Sequence, residues 1–272
     1  MELLFRTKPV FYWLFLLFVN VANSQSKPIH KENVRLITLS PHLAELVVSA
    51  GALDHLVGVV SYSDFPSEVK KIQQVGDAFK LDYESIVALQ ADYILSWKGG
   101  TPAAIVDKLR SLNIKVIETE ISQLSDIAKT IAQIAELTYT QEQAKISTQK
   151  FTDKLAELKS LNHPKTTSFI ETYHQPLYTV SGKHWISEAV SVCGYENIFK
   201  NLNQLSVTVT IESVILKNPQ AIINIGKQED KQWQKWNDLA AVKNKNIMTI
   251  DPDIISRPSM RILQGIAQLC QH

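Results

Sequence analysis

Glycine is scarce in this 272-residue chain, with nine in all, and cysteine is scarcer, with two. So few of either excludes a collagen-like repeat and a small disulfide-stapled scaffold. No sign of charge dominates: 28 basic residues face 27 acidic ones, for a formal net charge of +1. That balance argues against a basic nucleic-acid surface. It also leaves no long like-charge blocks of the kind that keep a chain unfolded. The sequence carries no phosphate-binding Walker loop, dinucleotide glycine fingerprint, G-x-S-x-G elbow or H-E-x-x-H helix. Ser181-Gly182-Lys183 lacks the preceding glycine loop and reads as a turn. What is present is ordinary globular composition, 45% hydrophobic and 20% charged, enough for one large domain or two modest ones.

The first residues read as a targeting segment. Arg6 and Lys8 precede an unbroken apolar run at 10–19, and Ala22 and Ser24 are small residues spaced for a signal peptidase. The run is about half the ~20 residues that span a bilayer. Cleavage after Ser24 is expected, with an uncleaved anchor as the alternative. Loss of Glu2, Arg6 and Lys8 leaves 26 basic and 26 acidic side chains. Export bears on Cys193 and Cys270: a single pair in an oxidising compartment suggests one bridge, against two buried free thiols.

Along the chain, strands alternate with helices, which argues for an α/β fold with largely parallel sheet. Strands are expected at 34–39, 56–60, 91–97 and 114–117, with helices at 42–50, 84–89 and 102–112. Apolar residues then recur at three- and four-residue steps. Leu124, Ile127, Ile131 and Ile134 form one stripe; Ala144, Thr148, Phe151, Leu155 and Leu158 form another. The stretch 140–161 has neither Gly nor Pro and reads as one rigid helix, stopped by Pro164. The pattern restarts with strands at 167–172, 221–225 and 247–250, and helices at 185–193, 212–217 and 259–269. The segments 84–95 and 212–223 align without gaps, each opening on Glu-Ser and running through a short helix into a β-branched strand. That match points to two equivalent lobes carrying Glu84 and Glu212 at the same place, with chance similarity as the alternative.

In open α/β sheets, ligands bind outside the carboxyl ends of the strands. There the sequence places Tyr62, Trp97, Asp253 and Arg257, aromatic faces beside a few polar groups, as a small-molecule site would have them. Core packing for Trp97 and a surface ion pair for Arg257 are the alternatives. Of Trp97, Trp185, Trp233 and Trp236, Trp97 alone falls where a cleft wall is expected. A metal site from His42, His174 and Asp253 is conceivable, but no spacing demands one.

The run 35–46 (Arg-Leu-Ile-Thr-Leu-Ser-Pro-His-Leu-Ala-Glu-Leu) resembles the opening of periplasmic cobalamin-binding proteins, the helical-backbone (class III) substrate receptors of ABC importers. So do Ser61-Tyr62-Ser63-Asp64-Phe65-Pro66, Ser96-Trp97-Lys98-Gly99-Gly100, Cys193-Gly194-Tyr195-Glu196-Asn197 and Arg257-Pro258-Ser259-Met260-Arg261, in the same order along nearly all of the mature chain. The resemblance implies two Rossmann-like lobes joined by one long rigid helix, with the ligand cleft between them. The corresponding spans are 1–24 for the signal peptide, 25–139 and 165–272 for the lobes, and 140–164 for the helix. It implies a monomeric, non-enzymatic periplasmic receptor with no intrinsic cofactor, metal or nucleic-acid partner, which carries cobalamin to a permease–ATPase complex. Tyr62, Phe79 and Trp97 would contact the corrin, and Asp253 with Arg257 its amide fringe. Cys193 and Cys270 would be the family disulfide, and Glu84 and Glu212 would dock on the permease. The sequence departs where better-known members place tryptophans: Ala78 with Phe79 adjacent stands at one such position, and the region of Ser206 at another. Haem, siderophore or metal-chelate receptors of the same fold, and an exported chelatase-like enzyme, are the competing readings.

Overall fold

The computed structural model describes residues 34–227 and 231–272; the expected signal peptide lies outside them. Two four-stranded parallel sheets carry the fold. The first contains β1 (Leu36–Thr38), β2 (Leu56–Val59), β3 (Tyr93–Trp97) and β4 (Val116–Thr119), in the order β2-β1-β3-β4. The second contains β5 (Thr166–Glu171), β7 (Tyr195–Asn197), β9 (Ala221–Ile225) and β10 (Ile247–Ile250), in the order β10-β9-β5-β7. Counted within its own half, each sheet therefore has the same order, second-first-third-fourth. The internal sequence match falls on equivalent units. Helix α2 (Tyr83–Ala88) leads into β3 and helix α7 (Ile211–Lys217) leads into β9, each the third strand of its sheet.

Helix α1 (Pro41–Ser49) follows β1, with Pro41 at a position where the missing N–H costs nothing. Helix α3 (Ala103–Ser111) crosses from β3 to β4. Helix α4 (Leu124–Thr138) opens on a capping box between Gln123 and Asp126 and buries the expected stripe of Leu124, Ile127, Ile131 and Ile134. Tyr139, at φ +59°, ends it in the left-handed region. Helix α5 (Gln141–Ser160) follows as 20 unbroken residues, about 30 Å of rigid rod. It buries Ala144, Phe151, Leu155 and Leu158 and leaves Thr148 at the margin, so this helix is a solvated strap held by one apolar edge.

The second lobe adds α6 (Trp185–Val192), α8 (Ala240–Lys243), α9 (Pro252–Ile255) and α10 (Ile262–Leu269). Two short strands, β6 (Tyr178–Val180) and β8 (Ser206–Thr208), pair antiparallel beside its sheet. The sequence pattern shows neither of them, nor β7, because three residues are too few to display a period of two.

One core crosses both lobes. Leu36, Leu43 and Leu95 of the first belong to the same buried cluster as Ile170, Trp185 and Ile250 of the second, with Ile131, Phe151 and Ile266 from α4, α5 and α10. Smaller clusters cover the remaining faces of the sheets, around Ile37 and Ile94 in one lobe and around Phe169 and Trp233 in the other. The bridge Cys193–Cys270 joins the C-terminal caps of α6 and α10, with Cα atoms 4.8 Å apart. It closes a 77-residue separation, long enough to restrict the unfolded chain appreciably. Replacing both cysteines by serine should lower unfolding stability by about 2–5 kcal/mol. Denaturant titration with and without reductant checks this: reductant should reproduce the loss in the native sequence and do nothing further to the variant.

Candidate functional site

In a sheet of order second-first-third-fourth, the strand direction of winding reverses between the first and third strands, and their carboxyl ends open a crevice. In the first lobe those ends carry His42 and Trp97, packed edge to face with ring centroids 5.1 Å apart. Trp97 is half-buried, and its other neighbour is Trp185 of α6, 5.9 Å away across the lobe boundary. Gly100 makes this possible, since a Cβ there would lie 1.9 Å from the Trp97 ring. Trp97 is thus a joint between lobes, and Trp185, expected elsewhere, stands beside it. Trp185 is fixed in turn by its indole N–H donating to the Ile255 carbonyl and by the His184 ring, 3.8 Å away.

Two strongly exposed aromatics sit on neighbouring loops of the first lobe. Tyr62 follows β2 with 79% of its surface exposed, and Phe79 is 83% exposed. Tyr62 adopts φ +66°, a left-handed conformation that a bulky residue keeps only when its surroundings hold it there. The holding group is adjacent: Ser61 donates both its backbone N–H, at 2.8 Å, and its hydroxyl, at 3.1 Å, to the Gly76 carbonyl. Gly76 itself, at φ +114°, begins the second loop, where a Cβ would meet the Lys80 carbonyl at 2.2 Å. Asp77 then accepts the backbone N–H of Phe79 and of Lys80, at 2.8 and 2.7 Å. These two bonds hold its carboxyl below the ordinary aspartate range and hold the loop that presents Phe79.

The polar rim is formed where the second lobe meets the first. Asp251 caps α9 by accepting the Asp253 N–H at 2.9 Å, which places Asp253 one turn before Arg257. Arg257 contacts Asp253 at 2.9 Å and, across the lobe boundary, Asp64 at 2.7 Å and Glu45 at 3.3 Å. Glu45, on α1, is 4% exposed. It accepts from Arg261 at 2.6 and 3.0 Å and from the Ser259 hydroxyl at 2.5 Å. No sequence signal marks Glu45, since inside an otherwise apolar helix it resembles any solvated helical glutamate. Arg261 also covers the Phe65 ring, its guanidinium carbon 4.2 Å from the centroid. Partial burial would raise the Asp64 pKa, but hydrogen bonding and charge from Arg257 outweigh it and hold the carboxyl below its usual range.

His42, His174 and Asp253 do not come together as a metal site. His42 packs against Trp97, His174 lies 3.3 Å from the buried carboxylate of Glu171, and Asp253 pairs with Arg257 and Lys227. Among the described residues no group of three His, Cys, Asp or Glu side chains is arranged to hold a metal. Glu171, at the end of β5, accepts the Trp233 indole N–H at 2.6 Å and the Gln232 amide at 2.9 Å. It marks the equivalent crevice of the second lobe, and no sequence signal singles it out. Glu84 and Glu212 are exposed in the first turns of α2 and α7. A concavity of about 1200 Å³ between α5 and α10 is lined by Ile146, Met260, Leu263 and Ala267, and none of the predicted ligand contacts reaches it.

Two equivalent parallel-sheet lobes, fused through one core and strapped by one helix, with aromatic loops and paired charges gathered at the strand ends, define a two-lobed ligand-binding protein. Residues 36–254 match the periplasmic binding protein family, and the chain belongs to it. It is 30% identical over 261 residues to the vitamin B12-binding protein of Vibrio parahaemolyticus, covering 94% of each chain. Its structure is similar to the periplasmic vitamin B12-binding protein of Vibrio cholerae, with a TM-score of 0.79 at 30% identity over 87% of this chain and 95% of that one. The periplasmic haem-binding protein of Vibrio cholerae shares the fold, with a TM-score of 0.75 at 19% identity over 88% of this chain and 98% of that one.

Two buried histidines give the fold an acid limit. Burial, reinforced by the nearby Arg257 charge, lowers His42 from 6.5 to about 3. Burial alone lowers His184 to about 4, and its Nδ1 accepts the Ile186 N–H. Both are neutral in the fold, so the unfolded chain takes up protons first as pH falls below 6.5. Their contribution is full above that pH and is lost as pH falls towards the folded values. Urea midpoints measured between about pH 7 and pH 4.5 should therefore decline, and His42→Asn should flatten the slope. An unchanged slope would contradict a neutral buried His42.

Proposed function

We propose that this protein is an exported receptor that captures cobalamin between its lobes and delivers it to an ABC-type importer. The reading is carried by the pairing of exposed aromatic loops with a charged rim at the strand ends. Corrin is broad and apolar on its faces and fringed with amides. Tyr62 and Phe79 offer ring surfaces to the faces, and Asp253 with Arg257 offers an acceptor and a donor to the fringe. Trp97, half-buried and packed against His42 and Trp185, forms the floor of the cleft and meets the corrin there. The names of the relatives support the same ligand. Binding needs no covalent step, so no nucleophile or intrinsic cofactor is invoked. Lobes 25–139 and 165–272, bridged by the helix at 140–164, act as one rigid monomer once the leader ending near Ser24 is removed.

Glu84 and Glu212 are the docking residues for the permease. The helix caps are made by other side chains: Asp82 and Thr210 each accept the N–H of the following serine, Ser85 at 3.0 Å and Ser213 at 3.2 Å. Equivalent exposed carboxylates on equivalent helices suit a two-fold partner with basic patches.

Two measurements test the proposal. Tyr62→Ala and Phe79→Ala remove exposed rings with little cost to the fold, and each should weaken cyanocobalamin binding by about 1–3 kcal/mol in calorimetry; unaltered affinity in both would remove these loops from the site, and tighter binding of haemin or a ferric siderophore would favour the sister receptors. The double change Glu84→Ala with Glu212→Ala should leave cyanocobalamin affinity and melting temperature intact while sharply lowering association with the reconstituted transporter. Normal vesicle uptake by that double variant would end the docking role.

A further inference from the structure

Arg257 is not a free cation waiting in the cleft. Three carboxylates and three cations interlock at this rim: Glu45, Asp64 and Asp253 with Arg257, Arg261 and Lys227. Each cation has an anionic partner between 2.6 and 3.3 Å away. We infer that this balanced rim selects a ligand edged with uncharged amides over one edged with carboxylates, and that Asp64 is the residue that sets the selection. The inference deepens the corrinoid reading and rests on it.

The chemistry follows from what each edge can offer. A carboxylate approaching Arg257 finds Asp64 and Asp253 already on the guanidinium, and like charges brought together in a partly desolvated site repel. An amide has a carbonyl for the guanidinium and an N–H₂ for the carboxylates, so it joins the network without displacing a member. Glu45 underneath completes the balance. It is buried, engages both arginines and leaves neither with an unmatched charge for an incoming anion. Asp64 is the accessible member from the opposite lobe, its side chain about half exposed at 49%. It is held ionised by Arg257, so the negative charge persists at neutral pH. The same loop carries Tyr62, which joins the ring contact and the edge contact in one segment.

The test compares cyanocobalamin with its separated monocarboxylic derivatives, in each of which one peripheral amide is hydrolysed. The native sequence should bind cyanocobalamin at least about tenfold more tightly than one or more of these acids. Asp64→Asn should bring that ratio close to one, chiefly by improving the acid, and Asp64→Glu should restore it. A purely structural role for Asp64 would shift both ligands by the same factor and leave the ratio unchanged, which would overturn the inference, as would equal binding of amide and acid by the native sequence. Because the Asp64–Arg257 pair is partly solvated, the melting temperature of Asp64→Asn should stay close to that of the native sequence, so the variant reports on selection. Failure of the native protein to bind cyanocobalamin at all would instead remove the corrinoid reading, and this inference with it.

Discussion

Glu45 is an ionisable side chain placed where water scarcely reaches, and much of the lobe junction is arranged around that fact. A carboxylate in such a position must be matched by charge and by hydrogen bonds. The groups that match it come from the second lobe, more than two hundred residues along the chain. Satisfying Glu45 therefore fixes the first lobe's α1 against the segment between α9 and α10 of the second. Removing one partner from a buried pair of this kind characteristically costs about 3–5 kcal/mol, because the survivor is left charged and dry. The same requirement orients Arg257 towards Asp64 and Arg261 over Phe65, so one buried charge organises a rim that faces solvent.

Packing reinforces the junction. The shared core runs from β1 and β3 through α4, α5 and α10 into β5 and β10 without a break at the lobe boundary. Opening the lobes far apart would expose that apolar surface, whose cost scales at about 25 cal/mol per Å². Helix α5 lies along this core as a rod, and the Trp97–Trp185 contact meets it from the crevice side with shape-specific aromatic packing. A junction packed in this way opposes large movements of the lobes relative to each other.

The loops show how precision is obtained from short segments. Asp77 to Phe79 and Asp251 to Asp253 are local hydrogen bonds and Ser61 to Gly76 ties two loops together, each fixing the backbone beside one side chain proposed to meet the ligand. Tyr62 sits in a strained backbone region because its neighbours are tied down. That strain turns the ring outward, away from the core, where it is available to a ligand.

Much of the architecture was legible in the sequence because it rests on periodicity. The stripe from Leu124 to Ile134, the Gly- and Pro-free run of α5, the alternation of buried strands with helices and the repeated Glu-Ser helices are all properties of neighbouring residues. The helix expected at 140–161 differs from the observed one by a residue at each end, because Thr140 and Leu161 both leave helical backbone geometry, Leu161 by turning extended. The short strands β6, β7 and β8 were not legible, since their pairing depends on partners far along the chain. Nor was the charge network. Glu45 reads as a surface residue until Arg257, Ser259 and Arg261 are brought to it, and Glu171 until Trp233 and Gln232 are. The sequence by itself determined the α/β class, the two-fold repetition, the rigid link and the candidate residues at the strand ends, because local pattern and chain order govern those. Only the tertiary structure decided which charges are buried, which aromatics are exposed and which pack across the lobe boundary, and how the two lobes share one core, because these depend on distances between residues that sequence order leaves far apart.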